Sequence, residues 1–264
     1  MIEFVKPKVY FIGYTTVDFL ELEKYLKDTD QLEFLEDIAI AKEQGLSDGE
    51  ILCSFYAKMC YASLTTKKNK NISKIRGIKP NIKGTIESGH GSILEHCNLN
   101  FIVRDCSRIY THEQVRHRVG AAYSQTSGRY VRSDVLSFVH DPILDSVKDD
   151  IEKLLNIIQD SYIELQKKIK IDEIPDFSTK KKITSALRRV LPNGQANELG
   201  FSLNLRSLRH IIPTRTSEHA EWEIREIFGQ VFDLINEKYP AIFMDSHIEI
   251  KDGLREITFE NKKI

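Results

Sequence analysis

The chain has 264 residues, 41% of them hydrophobic and 29% charged, and its 38 Lys plus Arg stand against 39 Asp plus Glu for a net charge of −1. These values exclude wholesale disorder and a broadly basic, nucleic-acid-binding surface, and no apolar run approaches the ~18 residues of a membrane span. Acids and a proline early in the N-terminal stretch, and four cysteines without a CxxC, argue against a signal peptide, a disulfide scaffold or a structural zinc, and for a soluble cytoplasmic protein with buried thiols.

In chain order, residues 9–14 read as a short buried strand, and the apolar spacing of residues 20–27 and 49–64, where Ile51, Phe55 and Met59 recur at helical intervals, predicts two helices. The lysine-rich, Asn-containing stretch 67–83 reads as a solvated loop. Leu99, Phe101 and Val103 alternate with Asn98, Asn100 and Ile102, the pattern of a half-buried strand. Ser107 is placed to cap a helix running to about Arg118, which Gly120 releases, and residues 121–131 follow as extended chain. Residues 149–171 form the clearest amphipathic helix, with Ile151, Leu154, Leu155, Ile158, Tyr162, Ile163 and Leu165 on its apolar stripe. A helix over 203–212 stopped by Pro213 comes next. Another, over 218–239, is capped by Thr216 or Ser217 and turns Trp222, Ile224, Phe228, Val231, Phe232 and Ile235 inward. The elements interleave without a βαβ rhythm, so an α+β class is expected. Neither a dinucleotide-binding glycine fingerprint nor a P-loop occurs. With no repeat and no long linker, residues 1–264 form a single domain, its first 80 or so residues the least typical part.

The near-zero charge hides a partition. Residues 104–132 and 188–225 hold twelve of the fourteen arginines and no lysine, in a chain with 24 lysines elsewhere. Counting acids, the two windows carry +4 and +2, which leaves −7 for the remainder. Guanidinium forks onto carboxylate or phosphate where ammonium is a hydrated point charge. Two such windows can close around a phosphorylated small molecule, or form buried Arg–Glu networks.

Four constellations stand out. Arg116-His117-Arg118, if the helix ends there, fans across one end of the element and can hold a polyanion such as a dinucleotide pyrophosphate. In extended chain Gln125, Ser127 and Arg129 share a face, an amide, a hydroxyl and a guanidinium that suit a phosphorylated nucleoside, while Gly128 lets a ligand approach the backbone. Arg206 and His210, four apart, share a helix face behind Asn204, and Arg215 lies beyond Pro213 within reach of an ionisable ring edge. Residues 90–96, HGSILEH, place dense polar groups ahead of a strand. The absence of HExxH and of any i, i+4 His pair argues against a catalytic metal, and the absence of GxSxG argues against Ser127 as a nucleophile.

Together these motifs match a family. RHR at 116–118, YSQTSGRY at 123–130, HGSILEH before them, then RRVLP (188–192), NLRSLRH (204–210) and RTSEHAEWEI (215–224) in that order resemble the flavin-dependent thymidylate synthases. The resemblance runs from about residue 90 to 227, and loosely back to AKMCY at 57–61. It implies a central, mostly antiparallel sheet flanked by helices, in a homotetramer whose sites are shared between subunits. It implies reductive methylation of dUMP to dTMP, with methylenetetrahydrofolate as carbon donor and FAD and NADPH as the hydride source. Carried over, Ser92, Arg116, His117, Arg118, Gln125, Asn204, Leu205, Arg206 and His210 contact FAD. Glu113, Gln114, Arg116, Gln125, Thr126, Ser127, Gly128, Arg129 and Arg188 hold dUMP, with its phosphate on Ser127 and Arg129. Arg215 is the catalytic residue, binding the uracil edge and favouring ionisation at N3. The family needs no enzyme nucleophile, and the single cysteine inside an arginine window, Cys106, sits at a strand–helix junction where a buried thiol is expected.

Three departures accompany the resemblance. Eight residues rather than seven separate Arg118 from Ser127, which a one-residue bulge near residues 120–122 would absorb. Glu113 stands where Gln is frequent, with Gln114 beside it, and His210 stands where Asn is common. Two alternatives remain open on these residues. One is a paralogue acting on another pyrimidine nucleotide, for example hydroxymethylating UMP. The other is a catalytically inert nucleotide- or RNA-binding protein, which would take up no FAD.

Overall fold

A computed structural model describes residues 2–132 and 135–263. The chain opens with strands β1 (Glu3–Val5) and β2 (Lys8–Tyr14), followed by helices α1 (Phe19–Asp28), α2 (Glu33–Glu43) and α3 (Asp48–Cys60). Helix α4 (Ile78–Glu87) and a 3-10 turn at Gly91–His96 lead into β3 (Asn98–Ser107), α5 (Arg108–Gln114) and β4 (Ala121–Gln125). An excursion through β5 (Ser137–Val139), α6 (Lys148–Ile169) and α7 (Phe177–Leu187) returns as β6 (Ala196–Asn204), α8 (Leu205–Thr216) and α9 (Trp222–Lys238). The hairpin of β7 (Ser246–Lys251) and β8 (Leu254–Phe259) follows.

The central sheet has the order β2-β3-β6-β4, with every neighbouring pair antiparallel, and β1 pairs separately with β5 in parallel. Alternation drives it: Leu99, Phe101 and Val103 of β3 face Leu203, Phe201 and Leu199 of β6, all buried in one core with residues of α3, α8 and α9. One row crosses all four strands, because Phe11 pairs with Phe101, Phe101 with Phe201 and Phe201 with Tyr123. The first three rings stack at centroid distances of 5.1 and 5.0 Å. Burying each such side chain contributes roughly 1.5–3 kcal/mol. The mixed α+β architecture with an antiparallel sheet is therefore as expected.

Several expected boundaries move, each for a local reason. Residues 9–14 form an edge strand, not a buried one: Val9 is covered, while Tyr10, Ile12 and Tyr14 stay exposed. The loop expected over 67–83 ends early, since residues 78–83 are the first half of α4. Pro80 is tolerated in the first helical turn, where no intrahelical N–H is needed. Helix α5, capped by the Ser107 hydroxyl accepting from Tyr110 N at 3.1 Å, stops at Gln114, a turn short of Arg118. The extended run from residue 121 ends at Gln125 and not near 131. Strand β6 continues to Asn204, and α8 runs through Pro213 to Thr216, held by buried Ile211, Ile212 and Thr216. Helix α9 starts at Trp222, where the Glu221 carboxylate accepts from Glu223 N and Ile224 N, so neither Thr216 nor Ser217 caps it.

Helix α6 forms as expected, but its inward face is Leu155, Gln159, Tyr162 and Gln166, and Leu154 and Leu165 of the expected apolar stripe are exposed, as is Ile157 outside it. Of the cysteines, Cys53, Cys97 and Cys106 are buried and Cys60 is exposed, which corrects the expectation that all four are covered.

Candidate functional site

The junction between β6 and α8 organises the site. Asn204 is both the last residue of the strand and the cap of the helix, its Oδ1 accepting from Ser207 N at 2.8 Å. Its other side grips the loop that follows α5: Asn204 N donates to Gly120 O (3.3 Å) and Ser207 Oγ to Val119 O (2.7 Å). Gly120 is left-handed (φ +64°), and a Cβ there would lie 2.2 Å from Asn204 Nδ2, so no other residue fits. From Ala121 onward β4 pairs with β6 without a register shift. The expected bulge is therefore absent from the β4–β6 pairing, and the turn before it at Arg118–Gly120 is closed by Ala121 N donating to Arg118 O (3.3 Å).

Held this way, Arg116, His117 and Arg118 line a cavity of about 630 Å³ together with Asn204, Arg206 and His210. The Tyr123 hydroxyl, at the end of the aromatic row, donates to His117 O and fixes the loop from the sheet side. Leu205 turns its side chain into the core and donates its N–H to Cys97 O (3.0 Å), so it anchors its two neighbours and does not face the cavity. Arg206 is ion-paired with Glu95. Glu95 was passed over in sequence, as were Lys262 and Lys263, which line the same cavity from the C-terminal segment. Glu95 belongs to the HGSILEH motif and was legible there; the two lysines carry no local signal. Ser92 lies in an adjoining cleft of about 370 Å³, and Arg206 lines both spaces.

Arg215, in the last turn of α8, reaches back to the RHR loop. Its Nη1 pairs with Glu113 Oε2 at 2.9 Å, and its Nε donates to His117 Nε2 at 2.7 Å. An imidazole nitrogen that accepts is unprotonated, so the His117 proton is assigned to Nδ1. Burial, then the charges of Arg215, His210 and Arg116, push the His117 pKa down to about 4. Folding thus favours neutral His117, and its contribution is present above the ordinary value near 6.5 and is lost as pH falls toward 4. An NMR titration of this imidazole is expected to show a midpoint near pH 4, with unfolding stability falling between pH 6.5 and 4; a midpoint near 6.5 would refute the arrangement.

Gln114 behaves differently from its neighbour. It is fully buried, with neither side-chain polar atom hydrogen-bonded among the described residues, whereas Glu113 faces Arg215. Gln125, at the end of β4, donates from Nε2 to Thr111 Oγ1 at 3.1 Å.

The second constellation lies apart. Thr126 N donates to Glu198 O (3.0 Å), and the chain then turns: Tyr130 N donates to Ser127 O (3.0 Å) and Arg129 N to Ser127 Oγ (3.3 Å). Gln125, Ser127 and Arg129 therefore do not share one extended face. Gly128 sits under the Arg108 guanidinium and the Arg188 side-chain stem, since a Cβ there would lie 2.9 Å from Arg108 Nη2 and 3.5 Å from Arg188 Cδ. Burial and the nearby like charge of Arg188 lower the Arg108 pKa. Arg108, Thr126 and Gly128 line a cleft of about 260 Å³ that shares no lining residue with the cavity of Arg116. Arg108 went unnoticed singly, although the arginine density of its window was its signal.

The profile of the family described as "Thymidylate synthase complementing protein" matches residues 44–241. A protein named flavin-dependent thymidylate synthase from Mycobacterium avium is 33% identical over 80% of this chain and 85% of its own length. Proteins of the same name are 30% identical in Corynebacterium diphtheriae (80% and 84% covered) and 32% in Mycobacterium marinum (84% and 89%).

Proposed function

The chain belongs to the flavin-dependent thymidylate synthase family, and from that premise we propose that it reductively methylates dUMP to dTMP. Methylenetetrahydrofolate is the carbon donor, and FAD with NADPH is the hydride source. The observation that carries this reading is the convergence of Arg116, His117 and Arg118 with Asn204, Arg206 and His210 on one large cavity, with Arg215 hydrogen-bonded to His117 in its wall.

The residues fit a flavin dinucleotide. Guanidinium groups of Arg116, Arg118 and Arg206 and the ammonium groups of Lys262 and Lys263 surround a space of about 630 Å³, a donor set suited to a diphosphate. Bound there, the flavin supplies the hydride that completes the methyl group. His210 offers an imidazole where the family commonly has an amide. Arg215 presents a fixed cation to the uracil edge, stabilising the ring as its N3 proton is lost and directing electron density to C5. Neutral His117, by accepting from Arg215 Nε, sets the plane of that guanidinium without adding a competing charge. Cys106 is buried, and burial together with Glu223 pushes its thiol far above the ordinary range, which suits chemistry without an enzyme nucleophile.

Ser127, Gly128 and Arg129, with Arg188 and Arg108, hold the dUMP phosphate. Because this cluster does not open into the cavity that Arg215 borders, we take each complete site to combine the two clusters from different subunits of a homotetramer. Exposed Tyr10, Ile12 and Tyr14 on β2 and Leu154, Ile157 and Leu165 on α6 are apolar surfaces suited to such contacts. No helix of the described residues is long and apolar enough to cross a membrane, and the free cysteines accord with a reducing cytoplasm.

The test is incubation with dUMP, methylenetetrahydrofolate, FAD and NADPH, followed by identification of the product. dTMP is expected; a hydroxymethyl product or a preference for UMP would identify the paralogous activity, and protein that takes up no FAD would overturn the enzyme reading. Arg129→Ala is expected to raise the KM for dUMP by about 10–100-fold, the loss of a charge-assisted phosphate contact of about 1.5–3 kcal/mol, with a smaller effect on kcat. An unchanged KM would remove Arg129 from the phosphate site.

A further inference from the structure

The reaction as described makes no use of the lysine-rich stretch 67–83, which carries seven cationic side chains and no acid. Two of these charges are spent locally, Lys67 on Asp30 (3.0 Å) and Lys83 on Glu87 (3.7 Å). Lys74 and Arg76 have no carboxylate partner among the described residues. Both line a cleft of about 260 Å³ with Ser63, Asn81, Ser88 and His90. Arg76 is seated there by a bare stretch of α4, since a Cβ on Gly84 would come within 3.3 Å of its Nη1.

This cleft is not isolated. Tyr61, Thr85 and His90 line both it and the cleft that holds Ser92, and Arg206 joins the latter to the cavity of Arg116. At the midpoint Tyr61 and His90 stack at a centroid distance of 6.1 Å, with Tyr61 OH and His90 Nδ1 3.1 Å apart. The three spaces therefore adjoin in turn, from the proposed flavin cavity, past an aromatic pair, to two cations without a carboxylate partner, flanked by hydroxyls and an amide. That sequence of environments matches a co-substrate with a planar ring system at one end and a charged tail at the other.

We propose that Lys74 and Arg76 form an anion site for the polyanionic tail of a co-substrate whose reacting end lies in the flavin cavity. The proposal rests on the function assigned above. Two co-substrates of that reaction carry such a tail: the linked glutamate carboxylates of the folate, and the ribose phosphate of NADPH. Both would bind by the same charge-assisted hydrogen bonds.

The experiment uses the full-length enzyme and a Lys74→Ala/Arg76→Ala variant in the dTMP-forming assay. It compares mono- with pentaglutamyl methylenetetrahydrofolate, and NADPH with NADH. In one pair the wild type is expected to show a KM about fivefold to tenfold lower for the more anionic member, the scale of two partly exposed ionic contacts. The double variant is expected to lose that preference with kcat and FAD content unchanged, and Lys74→Arg/Arg76→Lys to retain it. Added salt should compress the wild-type preference. Loss within the folate pair identifies carboxylates as the ligand, and loss within the nucleotide pair identifies phosphate. Equal preferences in wild type and double variant, or loss of FAD from the variant, would overturn the site. Failure of every combination to give dTMP with wild type would instead overturn the functional reading beneath it. If the double variant does not fold, the wild-type preferences and their salt response decide: absence of both refutes the proposal.

Discussion

Replacing Arg215 with alanine is expected to lower turnover by about 10²–10³-fold while the protein still takes up FAD, the scale seen when one preorganised transition-state donor is removed. The geometry separates these two readouts. Arg215 contacts Glu113 and His117, whereas the cavity proposed for the flavin is lined by Arg116, Arg118, Asn204 and Arg206. Arg215→Lys keeps the charge but cannot donate to Glu113 and His117 through one rigid planar fork, so partial activity is expected. Cys106→Ala is the control: its buried thiol donates only to the carbonyls of Val103 and Asn197, and turnover should stay within a few-fold of wild type. Rates are measured as dTMP formed per bound flavin. Retained turnover in Arg215→Ala, or its loss in a folded Cys106→Ala, would reverse the assignment of the chemistry.

The largest effect on stability is expected from Asp245→Ala. Arg209 is 1% exposed and Asp245 7%, and they meet through two bonds of 2.8 and 2.9 Å. The guanidinium also donates to Ile242 O (2.6 Å) and lies over the Phe259 ring at 4.3 Å. Removing the carboxylate strands a buried cation, which costs about 3–5 kcal/mol. For a chain of this size that corresponds to a fall in Tm of roughly 10 °C by thermal unfolding. A change of less than about 2 °C would mean that water or a rearranged side chain reaches Arg209. Asp245 Oδ2 also accepts from Asn261 N (3.1 Å) and Nδ2 (3.0 Å), immediately before the two lysines that line the cavity proposed for the flavin. Weaker FAD retention should therefore accompany the lower Tm.

Arg209 also shows how far the sequence could be read. The arginine windows marked the right regions but mixed two populations. Arg209 and Arg225 serve the fold, on Asp245 and on Lys251 O, while Arg116, Arg118 and Arg206 line the large cavity and Arg215 holds Glu113 and His117. Composition cannot separate them, because the partner is chosen by tertiary contact. β3 was legible because Leu99, Phe101 and Val103 obey a period of two against one buried face. The alternation of Leu199, Phe201 and Leu203 in β6 is equally clear in retrospect. Its end is masked because the strand passes into α8 at Asn204 with no loop residue between, so the helical spacing of the motif overlaps the alternation. The stripe of α6 was visible, but which of its faces is covered depends on neighbours that its own periodicity does not encode.

The row of rings from Phe11 to Tyr123 ties strand register to chemistry. A slip of one residue between β4 and β6 would send Tyr123 to the opposite face and take its hydroxyl away from His117 O. The RHR loop would then lose its anchor on the sheet side. On the proposed assignment of this loop to the flavin, cofactor uptake would act as a proofreading step on the fold, since a chain whose strands are paired out of step would lack the loop's anchor.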